Sequence, residues 1–157
     1  CGTAYHAGLV GKHAIEKLAN IPVETDIASE FRYRDPMITD KTLVIVVSQS
    51  GETADTLAVL RAAKKQGARV LAITNVVGSS IAREADDVFY TLAGPEIAVA
   101  STKAYTTQLT AFYILALHFA ELKRTLDSVE IESIKQDLIA IPSKIEDLLK
   151  NKDNIKK

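Results

Sequence analysis

The sequence predicts an α/β domain of the doubly wound kind, a parallel sheet flanked by helices. Three observations carry the prediction. Leu43-Val44-Ile45-Val46-Val47 is a short, continuous, β-branched apolar run, the composition of a central strand covered on both faces. Val70-Leu71-Ala72-Ile73 is a second run of the same kind. Between them Leu57, Leu60 and Ala63 recur at helical spacing from Thr53 to Gln66, and Gly67 follows as a C′ residue. Strand, loop, helix and strand make one βαβ unit.

The other elements follow from the same rules. Leu9, Val10, Ala14, Ile15 and Leu18 predict a helix over Ala7–Ala19, ending near Asn20. Pro22 opens an extended piece, and Ser29 is placed to cap a brief helical segment before Pro36. After the turn Gly78-Ser79-Ser80, Val88-Phe89-Tyr90-Thr91 reads as a third strand. A long apolar helix begins near Ser101. Beyond Arg124 the pattern turns amphipathic, with one helix around Val129–Ala140 and another starting at Pro142, a residue favoured in a first helical turn. Asn151–Lys157 is expected to fray. The chain opens on Cys1-Gly2-Thr3 and runs straight into a helix, whereas a doubly wound domain feeds that turn from a strand. The first strand is therefore expected to be truncated and the chain to be a piece of a longer protein.

At 157 residues, with 47% hydrophobic and 25% charged residues, the chain suits one domain with an ample core. A formal net charge of -1 gives no general attraction to nucleic acid or anionic lipid. Cys1 is the only cysteine, so no internal disulfide and no Cys/His metal cluster can form, and a reducing cytoplasm fits best. Ala104–Ala120 is interrupted by Thr106, Thr107, Gln108, Thr110 and His118, short of the ~20 apolar residues of a membrane span. It reads as a buried helix. No secretory pattern opens the chain, and neither metal nor cofactor is expected.

The segment Ser48-Gln49-Ser50-Gly51-Glu52-Thr53 lies where a strand's carboxyl end passes into a helix, the place where open α/β sheets bind ligands. First-turn amides and the helix dipole favour an anion there. Gly51 lets the backbone come close, and Ser48, Gln49, Ser50 and Thr53 supply neutral donors. The same residues also suit plain local duty, with Ser50 capping the helix and Ser48 and Thr53 satisfying nearby amides. The loop lacks the Gly-Lys-Ser/Thr ending of a P-loop, and no Lys or Arg lies between Lys41 and Arg61, which favours one phosphoryl group over a nucleoside triphosphate. Gly2-Thr3-Ala4-Tyr5 and Ala98–Lys103 are two further helix-start loops able to complete a pocket, with helix capping by Ser101 as the simpler use.

Four stretches together are recognisable: Cys1-Gly2-Thr3-Ala4-Tyr5, Ala28-Ser29-Glu30-Phe31-Arg32-Tyr33, Ser48 through Leu57, and Val99-Ala100-Ser101-Thr102-Lys103-Ala104-Tyr105. In that order they resemble the first sugar isomerase (SIS) domain of the glutamine:fructose-6-phosphate amidotransferases, the glucosamine-6-phosphate synthases, over residues 1–123. The resemblance implies a doubly wound SIS fold whose phosphate loop is Ser48, Gln49, Ser50 and Thr53. It implies that Thr3 and Ala4 approach the ligand. Some members have serine where Ala4 stands, so any contact from Ala4 is through its backbone. Val99 matches a position that meets the sugar through its backbone, with Ser101 just behind. In such enzymes a glutaminase releases ammonia and two SIS domains convert fructose 6-phosphate to glucosamine 6-phosphate. The glutamate, lysine and histidine they use lie in the second SIS domain and the carboxyl-terminal tail, so no catalytic residue is expected in this chain.

The implied partners are fructose 6-phosphate or glucosamine 6-phosphate, a second SIS domain, a glutaminase domain, and a second copy in a homodimer. Cys1 invites comparison with an N-terminal glutaminase nucleophile, but Thr3-Ala4-Tyr5 matches the SIS turn instead. His6 and His13 are weak acid/base candidates, and His118 is read as a packed or helix-surface residue. Glu52 is better used at a helix N-terminus than beside an anion. Lys103 is read as an architectural ion-pairing residue, and the Lys-rich end, with its interspersed Asp153, as a solvated tail. Two other readings compete: a sugar-phosphate sensor without chemistry, which needs a regulatory element, and a free-standing aldose-ketose isomerase, which needs an acid/base group. The sequence offers neither clearly. Residues 1–157 are taken as a single SIS domain, with 124–157 forming its C-terminal helices.

Overall fold

The computed structural model describes residues 2–97 and 101–150. In chain order these form α1 (Thr3–Ala19), α2 (Ala28–Phe31), β1 (Leu43–Ser48), α3 (Ala54–Lys65), β2 (Arg69–Thr74), α4 (Ser80–Glu84), β3 (Asp87–Tyr90), α5 (Lys103–Lys123) and α6 (Ser128–Lys150). The strands make a parallel sheet in the order β1-β2-β3. Its register runs from Leu43 opposite Arg69 to Ser48 opposite Thr74, and from Leu71 opposite Asp87 to Thr74 opposite Tyr90.

Side chains alternate across a strand, and each face has its own core. Ile45, Val47, Leu71, Ile73 and Phe89 point to α1 and α5, where Ala7, Ala14, Ile15, Ala111, Phe112 and Ala116 are buried. Val44, Val46, Val70, Ala72 and Val88 point to α3 and α4 and pack on Val59, Leu60, Ala63 and Ile81. Leu60 is fully buried, a burial that contributes about 1.5–3 kcal/mol. The predicted sheet with helices on both faces is observed. Both crossovers, through α3 and α4, lie on one face because right-handed connections taken in one direction put their helices on the same side.

Small residues let α1 sit close to α5. At Gly11 a Cβ would lie 2.5 Å from Phe112 Cγ, so glycine there admits the ring. Asn20 ends α1 in the left-handed region with φ 52°, and Gly67 follows α3 with φ 86°, the conformation that favours glycine.

Four of the elements depart from the sequence reading. Helix α1 starts one turn earlier than the apolar pattern, at Thr3. Ser29 lies inside α2, whose N-cap is Ile27. The turn at Gly78–Ser80 leads into α4, a helix too short to show periodicity. Pro142 does not begin a helix but lies within α6. That helix is started instead by a capping box, in which Glu130 N–H donates to Asp127 Oδ1 (2.8 Å) and Asp127 N–H to Glu130 Oε2 (2.9 Å). The proline has no N–H for the carbonyl of Leu138, four residues back and half-buried, so α6 gives up one internal hydrogen bond there. The expected fraying of Asn151–Lys157 lies outside the described residues.

Candidate functional site

A parallel sheet sends all its carboxyl ends to one rim, here Ser48, Thr74 and Tyr90 in register. Helix α3 leaves that rim after β1, and α5 follows β3. Helix α1 runs parallel to α5: Gly11 meets Phe112 midway, and Thr125 Oγ1 donates to Leu18 O (2.6 Å) at their C-terminal ends. Three helix N-termini therefore face the same rim, each with a positive dipole end.

The loop between β1 and α3 turns at Gly51, whose φ is 68°. Ser48 is buried; its Oγ lies 2.9 Å from Thr53 Oγ1 and accepts the Gly51 N–H (3.1 Å). Ser50 Oγ accepts the Glu52 N–H (3.2 Å). Thr53 is the extended N-cap of α3 and makes no side-chain cap bond. The expected Ser50 cap is thus not formed, while local duty is real for Ser48. The result is a compact cluster of hydroxyls ahead of a helix whose first amides have no hydroxyl cap.

The loop is stitched to the segment after β2. Asn75 N–H donates to Gln49 O (3.1 Å), Ile81 N–H to Gly51 O (3.0 Å) and Ser80 N–H to Glu52 Oε1 (2.7 Å). Glu52 therefore serves the start of α4. Hydrogen bonding from Ser80 holds its carboxyl below the usual glutamate range, with Arg83 adding to the effect.

Beside Gln49 opens a cleft of about 540 Å³, lined also by Asn75, Val76, Leu92, Gly94, Pro95 and Glu96. Asn75 shapes its wall: Oδ1 accepts from Ala93 N–H (2.7 Å) and Thr91 Oγ1 (3.2 Å), and Nδ2 donates to Gly94 O (2.7 Å). At the start of α5, Glu96 Oε2 accepts from Ala104 N–H (3.2 Å) and Thr102 N–H (3.4 Å). Thr102, not Ser101, is the N-cap residue, and the capping group is the Glu96 carboxylate. Sequence reading missed Asn75 and Glu96, because each acts on residues brought near by the fold.

Thr3 and Ala4 lie half-buried in the first turn of α1 and Ser101 just ahead of α5, so the topology brings both to the rim of Ser48–Thr53. Val99 lies outside the described residues. His6, His13 and His118 are exposed on helix surfaces, and Lys103 is exposed with no ion-pair partner among the described residues.

Residues 1–137 match the family described as SIS domain. The chain belongs to the SIS domain family. It is 72% identical over 156 residues to glutamine–fructose-6-phosphate aminotransferase (isomerizing) of Clostridium perfringens, covering 99% of this chain and 26% of that protein. To the enzyme of the same name from Streptomyces coelicolor it is 54% identical, covering 99% and 25%. Its fold matches a solved structure, the C-terminal domain of glucosamine-fructose-6-phosphate aminotransferase from Francisella tularensis, with TM-score 0.93 and 47% identity, covering 99% of this chain and 44% of that one. This SIS domain thus spans about a quarter of the length of the curated relatives it matches.

Proposed function

We propose that this SIS domain is the sugar-phosphate-binding half of the isomerase part of a glutamine:fructose-6-phosphate aminotransferase, and that it holds fructose 6-phosphate or glucosamine 6-phosphate by the phosphate. The observation that carries the proposal is the loop Ser48–Thr53: a buried strand end, a positive-φ glycine and a hydroxyl cluster ahead of an uncapped helix. A phosphate is recognised there by Ser48, Gln49, Ser50 and Thr53, with Thr3, Ala4, Val99 and Ser101 approaching the sugar. The cleft beside Gln49 leaves room for the hexose chain.

The domain binds and orients but does not itself move protons between C1 and C2. A second SIS domain supplies the acid/base groups and a glutaminase supplies ammonia, both in the cytoplasm. Residues 124–157 extend the domain, with Ile131 the buried anchor of α6 among the described residues. The exposed Ile139, Ile145, Leu148 and Leu149 along α6 support self-association into a homodimer. No helix among the described residues is long and apolar enough to cross a membrane.

Calorimetric titration of the chain with glucosamine 6-phosphate tests the reading. Replacing Ser48 and Thr53 together by alanine removes two hydroxyl donors and should weaken binding at least about tenfold, at about 1 kcal/mol per lost hydrogen bond. Circular dichroism should show the fold retained. Unchanged affinity would refute the assignment.

A further inference from the structure

Beneath the loop lie two hydroxyls that the site described so far does not use. Thr74 Oγ1 and Ser79 Oγ are buried and have no hydrogen-bond partner among the described residues. Thr74 is wholly inaccessible and Ser79 is 3% exposed. Both face Gly51: a Cβ built on that glycine would lie 2.5 Å from Ser79 Cβ and 2.9 Å from Thr74 Oγ1, and it would also meet Ser79 Oγ. Thr74 is the register partner of Ser48, so the two share one face of the sheet at its carboxyl rim.

An unpaired buried hydroxyl costs more than the apolar group of the same shape. Valine would fill the Thr74 site and alanine the Ser79 site without that cost, so packing alone does not account for the hydroxyls. What both face is Gly51, the turn of the proposed phosphate loop. The segment carrying them already accepts no freedom from the loop, since Asn75, Ser80 and Ile81 bond to Gln49, Glu52 and Gly51.

We infer that Thr74 and Ser79 are positioning residues for the phosphate loop: their hydroxyls form a polar floor that sets the Gly51 peptide and thereby the aim of the Ser48–Thr53 donors. The inference rests on reading that loop as the phosphate site. Floor hydroxyls without a partner are free to bond the Gly51 peptide as the loop exchanges its internal Ser48–Thr53 bond for an anion. Methyl groups in the same place cannot.

Thr74→Val, Thr74→Ser and Ser79→Ala separate this from a packing role. Each chain is titrated with glucosamine 6-phosphate, its Tm is measured without ligand, and exchange of the Gly51 and Glu52 amides is followed by NMR in the free chain. Positioning predicts that T74V keeps or raises Tm yet binds about fivefold more weakly, the size of one net hydrogen bond. S79A should weaken binding similarly. T74S, which keeps the hydroxyl and loses the methyl, should hold affinity within about twofold while lowering Tm. A purely structural role predicts the reverse order for T74V and T74S, and that result, or T74V binding as well as the parent chain, overturns the inference. If the parent chain binds no sugar phosphate, the reading of the loop fails, and amide exchange then decides the inference. Faster Gly51 exchange in T74V than in T74S supports it, and equal exchange overturns it.

Discussion

The N-termini of α3 and α5 face the same rim of the sheet, yet they are finished in opposite ways. At α5 the carboxylate of Glu96 accepts the amides of Thr102 and Ala104, so the negative charge that a helix N-terminus favours is built in. At α3 the two carboxylates near the helix start bond elsewhere, Glu52 to Ser80 of α4 and the first-turn Asp55 to Arg32, and the hydroxyls of Ser48, Ser50 and Thr53 stay within the loop. One end has its amides bonded by a carboxylate of the chain; at the other neither Asp55 nor Glu52 bonds a first-turn amide, and each is engaged elsewhere. For the phosphate site proposed above, the difference separates the two ends more sharply than dipole arguments alone, which treat them alike.

The largest effect that could break the contrast is at Gly51. Gly51→Ala forces a residue with a Cβ into φ 68° against Ser79. The backbone strain costs about 1–2 kcal/mol, and relieving the contact adds to it, so denaturant unfolding should show a loss of about 2–4 kcal/mol. Sugar-phosphate binding should fall further than in the Ser48/Thr53 double variant, because every donor in the loop is displaced. A G51A chain that binds normally would mean that the loop's shape is irrelevant to the site.

That dependence on one glycine shows what the sequence made legible. A strand entering a glycine turn and then an amphipathic helix is a local pattern, and Leu43–Val47, Gly51 and Leu57/Leu60 declare it in order. The alternation of the two cores along β1 and β2 is equally local. Glu96 was not legible, because its carboxylate reaches amides six and eight residues further on, beyond the range of a local capping pattern. Thr74 and Ser79 were invisible for a similar reason: threonine at a strand end and serine in a turn are ordinary, and only their convergence under Gly51 makes them unusual. Pro142 misled, since the rule that proline begins a helix is weaker where the helix is exposed and already nucleated by Asp127 and Glu130.

An intermediate effect belongs to the α5 end. Glu96→Ala removes the acceptor for two amides and should lower stability by about 1 kcal/mol, as loss of an N-cap does. Sugar-phosphate affinity should rise slightly, because a negative charge leaves the cleft that Glu96 lines. Weaker binding in E96A would show that the Glu96-capped end of α5 helps to hold the phosphate, and the opposition of the two helix ends would fail.

The smallest effect is the pH dependence at Glu52, and its sign follows from the direction of the shift. Hydrogen bonds from Ser80, with help from Arg83, lower its folded-state pKa below the ordinary value of 4.5. A carboxyl lowered in this way favours the folded state when ionised in both states, so its contribution is complete above that ordinary value. As pH falls the unfolded chain takes up the proton first, and the contribution is gone once pH has passed below the folded value. Glu52→Gln keeps an acceptor for Ser80 N–H but has no proton to take up. The Tm difference between the parent chain and E52Q should therefore be steady from pH 7 to about 5 and shrink below about 4.5. The side chain is exposed, so salt should narrow the difference as well. A difference that does not change between pH 6 and pH 3 would mean that Glu52 is not held by Ser80 in solution, and the diversion of its charge away from the α3 end would lose its support.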